Sequence, residues 1–503
     1  MSFEAVLATA RGTHADADSL ADLASIALAE GEEDRALPLV RVAAERNPDA
    51  RLWQWTGLLE RALDEHEAAL QSFARAARLA PSDPSIAHGH AHVALEAGVD
   101  AVELFEHANR LGPPKGDVLI GLAAARMAAG NGEEAAAELD AILQQAPLWV
   151  QGHAQLAQLR ATMGRPELAS ASLERALAVL PGEASLWQAL FDLDLRRENF
   201  AGLSDNVARA RAVQGAQALC AEYGAIAAAE LGDIERADAL FEAAPVDALP
   251  ALALWRIRHL LRTARTEQAL MLIDRELETE RGTGVWPYAA AAWRLTGDPR
   301  SAWLDGDQRL VTVMDIAGEL PALDVLADRL RALHVAKGEY LDQSVRGGTQ
   351  TDGPLLSRIE PELRAARSAI VRAVESYVAQ LPPPDSAHPL LGRRRDRRIR
   401  FAGSWSVRLR KRGHHANHVH PQGWISSALY VSLPERGPQE DLHAGWLALG
   451  EPQAAIGLDL PPMKMIEPRP GRLVLFPSWM WHGTRPFAEG ERLTIAFDVA
   501  LPR

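Results

Sequence analysis

A repeat with a period close to 34 residues runs through the first 300 positions and constrains the fold more than any other feature. Prolines that follow Ala-, Leu- and Arg-rich segments recur at spacings of 33, 32, 34 and 34, at Pro48, Pro81, Pro113, Pro147 and Pro181. Turn glycines form a second series with the same period, at Gly98, Gly130, Gly164 and Gly232, and Glu198 occupies the position of the missing glycine. Two independent series with one period predict an array of similar units.

Each unit has the pattern of two amphipathic helices joined by a short turn. The segments "DVLIGLAAARMAAG" and "GEEAAAELDAILQQAP" (117–130 and 132–147) are one such pair, with apolar residues at helical spacing. A small residue recurs near the start of the second helix, where we expect a neighbouring helix to approach closely, at Ala36, Ala69, Ala101, Ala135, Ala169, Ala237 and Ala269.

With this period and these turn residues, the segments resemble tetratricopeptide repeats. About eight or nine units fit between residues 17 and 300. Such units cannot bury their apolar faces alone, so we expect them to stack into an α-solenoid with a long concave surface. That surface ordinarily binds peptides or other proteins, which predicts a peptide or protein partner; the alternative is a scaffold or dimerisation element, and hence a homo-oligomer.

Composition and charge exclude several classes of protein. The chain has 503 residues and a formal charge of −14, which argues against coating nucleic acid or an anionic membrane. The single cysteine, Cys220, allows neither an intrachain disulfide nor a cysteine-rich metal site. Because we find neither a signal peptide nor an 18-residue apolar window, we expect a cytoplasmic protein without membrane contact.

The repeat stops near residue 300, and a second domain is predicted over 301–503. Its lead-in, 301–385, contains a helix-like segment from Leu355 to Leu381, which the linker "PPPDSAHP" terminates. Five strand-like runs with turns between them then predict a jelly-roll core, a double-stranded β-helix, over 395–503. They are "IRFAGSWSVRLRK", "GWISSALYVSLP", "GWLALG", "GRLVLFP" and "ERLTIAFDVAL". The fold class expected is therefore a multidomain α + β protein, with an α-solenoid followed by a jelly roll.

A basic stretch opens this core. Residues 393–412 contain ten Arg and Lys and one Asp, a local charge of +9. Two interpretations are open: a solvated strand and loop, or a surface that guides an anion toward the histidines described next.

Those histidines carry the predicted chemistry. His418 and His420 in "NHVHP" are two residues apart, so on an extended strand both side chains point to one face. His482 follows in "LVLFPSWMWHGTRPF", and Arg492 opens the last strand. Neutral imidazoles are good ligands for Fe(II), and a buried arginine can hold a carboxylate through two parallel hydrogen bonds. The motif predicts an iron site with an anion-binding arginine beside it.

In "NHVHP…SSALYV", "GRLVLFPSWMWHGTRPF" and "RLTIAFD", the chain resembles the 2-oxoglutarate- and Fe(II)-dependent oxygenases, within them a prolyl-hydroxylase-like bacterial subgroup often fused to tetratricopeptide repeats. The resemblance covers about residues 300 to 503. It implies Fe(II), 2-oxoglutarate and O2 as cofactor and cosubstrates, His418 and His482 as iron ligands, and Arg492 as the partner of the 2-oxoglutarate C5 carboxylate. Tyr430 is similar to the tyrosine that shares this carboxylate in related hydroxylases.

One position departs from the wider superfamily, which has Asp or Glu two residues after the first histidine. Here that position is His420. Either His420 is the third ligand of a three-histidine site, or two histidines and water hold the metal. We favour His420 as a ligand because the period of two directs it toward the metal.

The resulting functional prediction is hydroxylation of a peptide or protein side chain recruited by the repeat array. The alternatives are a small-molecule or amino-acid hydroxylase and a catalytically silent adaptor. The segment Leu341 to Gly353 also resembles the subgroup and is interpreted either as turn structure or as a substrate-binding lid. We expect His414, His415 and His443 to be ordinary core or surface residues.

Overall fold

The computed structural model of the chain describes residues 2–11, 16–213, 215–244, 251–341 and 344–502. In this part of the chain a long series of helices precedes two antiparallel sheets. The helices are α1 Phe3–Ala10, α2 Ala17–Glu30, α3 Glu33–Arg46, α4 Ala50–Ala62, α5 His66–Leu79, α6 Pro84–Glu96, α7 Val102–Arg110, α8 Gly116–Ala128, α9 Gly132–Gln145, α10 Val150–Thr162, α11 Ala171–Val179, α12 Ala184–Arg196, α13 Phe200–Ala210, α14 Gln217–Glu230, α15 Ile234–Ala243, α16 Leu252–Arg262, α17 Thr266–Leu277, α18 Trp286–Thr296, α19 Arg300–Asp305, α20 Leu323–Leu333 and α21 Pro361–Gln380.

Helices α2 to α19 form consecutive hairpins, and the turn inside each hairpin contains one residue with a left-handed backbone. These residues are Gly31, Asp64, Gly98, Gly130, Gly164, Glu198, Gly232, Ala264 and Gly297. The series confirms the predicted period and extends it in both directions. Glu198, with a φ of 52°, adopts the conformation of the glycine that it replaces in the sequence pattern. The predicted α-solenoid is therefore present.

The recurring alanines lie where the helices approach most closely. All seven are at most 2% exposed. A larger side chain there would overpack a helix–helix contact. Cys220 is also buried, as expected of a small apolar residue.

After the solenoid, the described residues form nine strands. They are β1 Thr312–Asp315, β2 Val345–Gln350, β3 Phe401–His415, β4 Gly423–Ser432, β5 Leu447–Leu449, β6 Lys464–Ile466, β7 Arg472–Pro477, β8 His482–Thr484 and β9 Arg492–Ala500. One sheet has the order β1-β7-β4-β9-β3-β2 and the other β6-β5-β8, with antiparallel neighbours throughout. Two antiparallel sheets agree with the predicted jelly roll. All five predicted strands are present, whereas β1, β2, β6 and β8 were not predicted.

Two predictions about local structure are corrected. The helix expected from Leu355 begins only at Pro361, because proline is favoured at the first helical position, and residues 355–357 form a separate 3₁₀ turn. The segment Leu341 to Gly353 is mainly the edge strand β2, paired to β3, rather than turn structure alone. Asp342 and Gln343 of this segment lie outside the described residues.

The side chains of strand β9 point alternately into the apolar core and into a cleft. Leu493, Ile495, Phe497 and Val499 are buried in a hydrophobic cluster that also contains residues of α16–α18, α20 and α21. The alternate residues, among them Arg492, Thr494 and Asp498, line a cleft on the other face. One apolar core thus joins the end of the helical array to the large sheet.

The array contacts the second domain mainly through the turns inside its hairpins. Arg400 pairs with Glu33 at 2.8 Å, and Arg398 pairs with Glu65 at 2.9 Å. Further along, the backbone N–H of Ile359 donates to Ala97 O at 3.1 Å. Contacts of the same kind are Arg397 with Glu32, Arg364 with Glu67, Lys337 N–H with Thr162 O, Arg346 with Glu198, Arg262 with Ala455 O and Arg294 with Gly450 O.

This arrangement adds a third role to the two interpretations of the basic stretch 393–412. Three of its arginines, Arg397, Arg398 and Arg400, pair with acidic turn residues of the first two hairpins. Arg408 and Lys411 pair locally, with Glu491 and Glu489. Part of the local charge of +9 therefore joins the two parts of the chain, whereas six of the ten basic residues are exposed, as the solvated interpretation expects.

Among the described residues, the helices are too short or too polar to cross a membrane.

Candidate active site

Three histidines come together at one end of the cleft. His418 lies in the loop between β3 and β4, and His482 begins β8; their backbones exchange two hydrogen bonds, of 2.9 and 3.0 Å. His420 is held by its backbone N–H, which donates to Ser478 O at 3.0 Å. One ligand atom from each ring lies within 4.8 Å of the other two. The loop, rather than the predicted strand, therefore brings His418 and His420 to one face.

The Nδ1 atom of each ring has an acceptor close by. His418 Nδ1 lies 2.8 Å from Ala416 O, and His482 Nδ1 lies 3.0 Å from Met480 O. His420 Nδ1 lies 2.9 Å from Oδ2 of Asp498. Since an imidazole that donates from Nδ1 keeps its lone pair on Nε2, this pattern favours one tautomer in all three rings. Three Nε2 lone pairs are then available to a metal.

Burial favours the neutral form that a metal requires. It holds the pKa of His418 well below its usual range, and the neighbouring rings of His482 and His420 lower it further. Burial likewise lowers the pKa of His482 to about 3. Both imidazoles are therefore uncharged at neutral pH, and protons compete little with a metal cation for their nitrogen lone pairs. The donor set fits a divalent transition metal.

A buried cation lies on the neighbouring strand. Arg492 is 2% exposed, donates from Nη1 to Gly445 O at 2.9 Å, and its guanidinium carbon lies 4.9 Å from the ring centre of Tyr430. Its Nε and the Tyr430 hydroxyl make no well-formed hydrogen bond with any residue that the structure describes. In the same described ranges no carboxylate lies within ion-pair distance of Arg492. A buried charge without a counter-ion is costly, so this pair could hold an anion.

The cleft has a volume of about 1220 Å³ and is lined from two directions. The second domain contributes the histidines, Arg492 and Trp405, whereas the turn of the sixth helical hairpin contributes Arg196, Arg197 and Glu198. Leu341 packs into the core of the fifth and sixth hairpins and also lines the cleft. The array therefore forms part of the cleft wall.

Two residues beside the triad were not assigned from the sequence. The ring of His415 stacks on His418 with centroids 5.9 Å apart, so it belongs to the site rather than being an ordinary core or surface residue. The Ser344 hydroxyl lies 3.1 Å from His415 Nδ1 and 3.2 Å from His418 Nε2. His414 and His443 contact none of the triad rings, in line with expectation.

Asp498 was missed altogether. A signal for it exists in the sequence: it lies six residues after Arg492 on the same strand, so the period of two places both side chains on the cleft face. The register that brings it to His420 depends on the pairing of β4 with β9 and is not visible in the sequence.

Comparison with known protein families agrees with this architecture. Residues 403–498 match the family described as "Putative 2OG-Fe(II) oxygenase", and residues 97–161 match the tetratricopeptide repeat family. The first match contains the three histidines, Tyr430, Arg492 and Asp498. The resemblance stated from the sequence, repeats followed by an oxygenase domain, is confirmed. No curated protein matches the chain significantly.

Solved structures similar to this chain include YrrB, titled a tetratricopeptide-repeat protein with an unusual peptide-binding site, at 18% identity. That match covers 37% of this chain and 98% of the other, with a TM-score of 0.30. A repeat protein from Thermus thermophilus matches at 21% identity over 34% and 94% of the two chains, with a TM-score of 0.26. One from Parabacteroides merdae matches at 17% identity over 45% and 91%, with a TM-score of 0.29.

Proposed function

We propose that this chain, a tetratricopeptide-repeat array joined to a domain of the 2OG-Fe(II) oxygenase type, hydroxylates a side chain of a peptide or protein with 2-oxoglutarate and O2. The observation that carries the proposal is the three-histidine cluster beside a buried arginine that has no counter-ion among the described residues. A metal and a dianionic cosubstrate would satisfy both.

His418, His420 and His482 would hold Fe(II) through Nε2. When bound, Fe(II) and 2-oxoglutarate supply the oxidising chemistry, in which one oxygen atom of O2 enters the substrate C–H bond and the other enters succinate, with release of CO2. The protein's own part is to fix the rings, which for His418 and His482 it does through the backbone carbonyls at Nδ1.

Arg492 and Tyr430 would bind the distal carboxylate of the cosubstrate. Burial raises the pKa of Tyr430, so its hydroxyl keeps the proton that it donates, and the guanidinium of Arg492 supplies further N–H donors. Two donors of this kind in a water-poor site bind a carboxylate strongly and orient it.

The cleft favours a peptide over a small molecule. Its volume exceeds the range of roughly 300–1,000 Å³ that is usual for small-ligand sites. It also reaches from the histidines to Arg197 on the array, which gives a bound chain two walls to contact. Arrays of this type commonly present peptide-binding surfaces.

The experiment measures hydroxylation of a peptide library by the full chain with Fe(II), 2-oxoglutarate and ¹⁸O2. We expect a peptide that gains 18 mass units and one succinate per hydroxylation. His482→Ala should abolish turnover, and Arg492→Met should raise the KM for 2-oxoglutarate by more than tenfold. Arg372→Met is the matched control, because Arg372 is exposed on α21 and pairs with Glu319.

An adaptor function is a distinct outcome of the same experiment. A chain that binds peptides but forms no succinate, with or without His482, would contradict the proposal and support the adaptor. Turnover of free amino acids in place of any peptide would support the small-molecule alternative.

A further inference from the structure

Asp498 is the carboxylate that lies nearest to the histidine cluster, and the function proposed above does not use it. It is 8% exposed, on the cleft face of β9. Its Oδ2 lies 2.9 Å from His420 Nδ1. Within the described ranges, no other carboxylate forms an ion pair with His418, His420 or His482.

The other oxygen of Asp498 is also fixed. The Ser426 hydroxyl donates to Oδ1 at 2.5 Å, and the Ser478 hydroxyl lies 3.0 Å from that of Ser426. Gly423 packs directly against this network, since a Cβ at that position would lie 2.7 Å from Ser478 Oγ. Both oxygens of Asp498 therefore have a fixed direction, and Oδ2 is directed at the ring of His420.

His420 is the ring of the cluster that most needs such support. His418 and His482 bond each other's backbone, and their Nδ1 atoms face carbonyls two residues before them in the chain. His420 is 24% exposed in its side chain, and its ring is located by Trp405, stacked at 5.6 Å, and by Asp498. Without Asp498 the ring could flip by 180° about χ2, which would exchange Nε2 for Cε1 and still leave the ring stacked on Trp405.

We propose that Asp498 is a positioning residue that makes His420 a metal ligand. It accepts the Nδ1 proton of His420, fixes the ring with Nε2 toward the metal, and places a negative charge on the far side of that ring. This inference rests on the proposed function. It accounts for the absence of an acidic residue at position 420, because the carboxylate acts through an imidazole instead of contacting the metal directly.

Partners of metal-bound histidines typically contribute 10–100-fold to metal affinity. Asp498→Asn keeps the size of the side chain and an acceptor oxygen but removes the charge. Asp498→Ala removes both. We therefore expect Co(II) and Fe(II) affinities that fall about 10-fold in Asp498→Asn and about 100-fold in Asp498→Ala.

The test is anaerobic Co(II) titration of the full chain, followed by visible d–d absorption, which reports the number and type of ligands. Asp194→Asn is the matched control, because Asp194 is 3% exposed and hydrogen-bonded in the array, to Asn199 and Asn206. The melting temperatures of the variants are recorded alongside. We expect a weaker and altered Co(II) spectrum in the Asp498 variants and the wild-type spectrum in Asp194→Asn.

The outcomes separate this inference from the function on which it rests. Asp498 variants that bind Co(II) within threefold of the wild type, with an unchanged spectrum, would overturn the role of Asp498 alone. A wild-type chain that takes up neither Co(II) nor Fe(II) would overturn the proposed function, and the inference with it. If Asp498→Ala does not fold, Asp498→Asn and Ser426→Ala, which frees one carboxylate oxygen, supply the same comparison.

Discussion

The ion pair between Arg400 and Glu33 offers a sharp test of how the helical array is joined to the oxygenase-type domain. The Glu33 side chain is 3% exposed and that of Arg400 is 18% exposed, at 2.8 Å. Removing one partner of a buried pair leaves the other charge buried and unpaired, which lowers the free energy of unfolding by about 3 kcal/mol or more. We therefore expect Arg400→Ala to lower the free energy of unfolding by about 3 kcal/mol.

The neighbouring pair of Arg398 with Glu65 is the matched control. Its length is almost the same, 2.9 Å, but its side chains are 47% and 33% exposed. Surface pairs contribute about 0–1 kcal/mol, so Arg398→Ala should cost less than about 1 kcal/mol. Burial, and not distance, decides the difference between the two variants.

The assay is urea unfolding of the full chain, followed by tryptophan fluorescence and by circular dichroism. The double variant Glu33→Ala/Arg400→Ala should recover about 1 kcal/mol or more relative to Arg400→Ala, because it removes the stranded carboxylate. Equal costs for Arg400→Ala and Arg398→Ala would refute the reasoning. So would a double variant whose loss of stability relative to the wild type equals the sum of the two single losses.

Three further predictions concern single residues elsewhere in the chain. Burial raises the pKa of Asp305 to about 6, so the contribution of its protonated carboxyl to stability is complete below about pH 4 and is lost as the pH rises through 6. Asp305→Asn can still accept the hydrogen bond from Trp479. In urea unfolding, this variant should therefore be more stable than the wild type by about 1–3 kcal/mol at pH 8 and as stable as the wild type at pH 4. Ala264 has a φ of 57°, a left-handed backbone that is strained for alanine but not for glycine. Ala264→Gly should therefore raise the free energy of unfolding by about 1 kcal/mol, and a loss of stability would contradict this strain. Burial raises the pKa of the Cys220 thiol, so a thiol reagent at pH 8 should react with it only after urea unfolding, and rapid reaction in the native chain would refute its burial.

The repeat architecture could be predicted because its determinants are local. Each hairpin needs one residue in the left-handed conformation, and glycine provides it most easily, so the period is visible in the sequence. Even Glu198 could be assigned by position alone. The histidines and Arg492 could likewise be predicted, because they lie in a short motif and at the start of a strand pattern.

What could not be predicted depends on contacts between distant parts of the chain. The partner of Arg400 lies 367 residues away in the sequence. The sequence alone therefore does not distinguish a basic stretch that pairs with the array from one that faces solvent. Strand β2 contains the pair Gly347 and Gly348, typical of a turn, and is a strand because β3 offers an open edge for pairing. The role of Asp498 depends on the register of β9 against β4.

These contacts also determine how the role of the array should be tested. Deleting residues 1–300 would remove the partners of Arg397, Arg398 and Arg400 and the core that buries Leu341. Such a deletion would confuse loss of substrate binding with loss of stability. A substitution at Arg197, in the part of the array that lines the cleft, separates the two.

The proposed function requires that the three histidines and Arg492 form one site for a metal and 2-oxoglutarate. The most direct measurement is an anaerobic titration of the full chain with Fe(II) and then 2-oxoglutarate, with the bound stoichiometry of each. We predict one Fe(II) and one 2-oxoglutarate per chain, with cosubstrate binding lost in Arg492→Met and both lost in His482→Ala. Binding of 2-oxoglutarate that is independent of metal and unchanged in Arg492→Met would contradict the account.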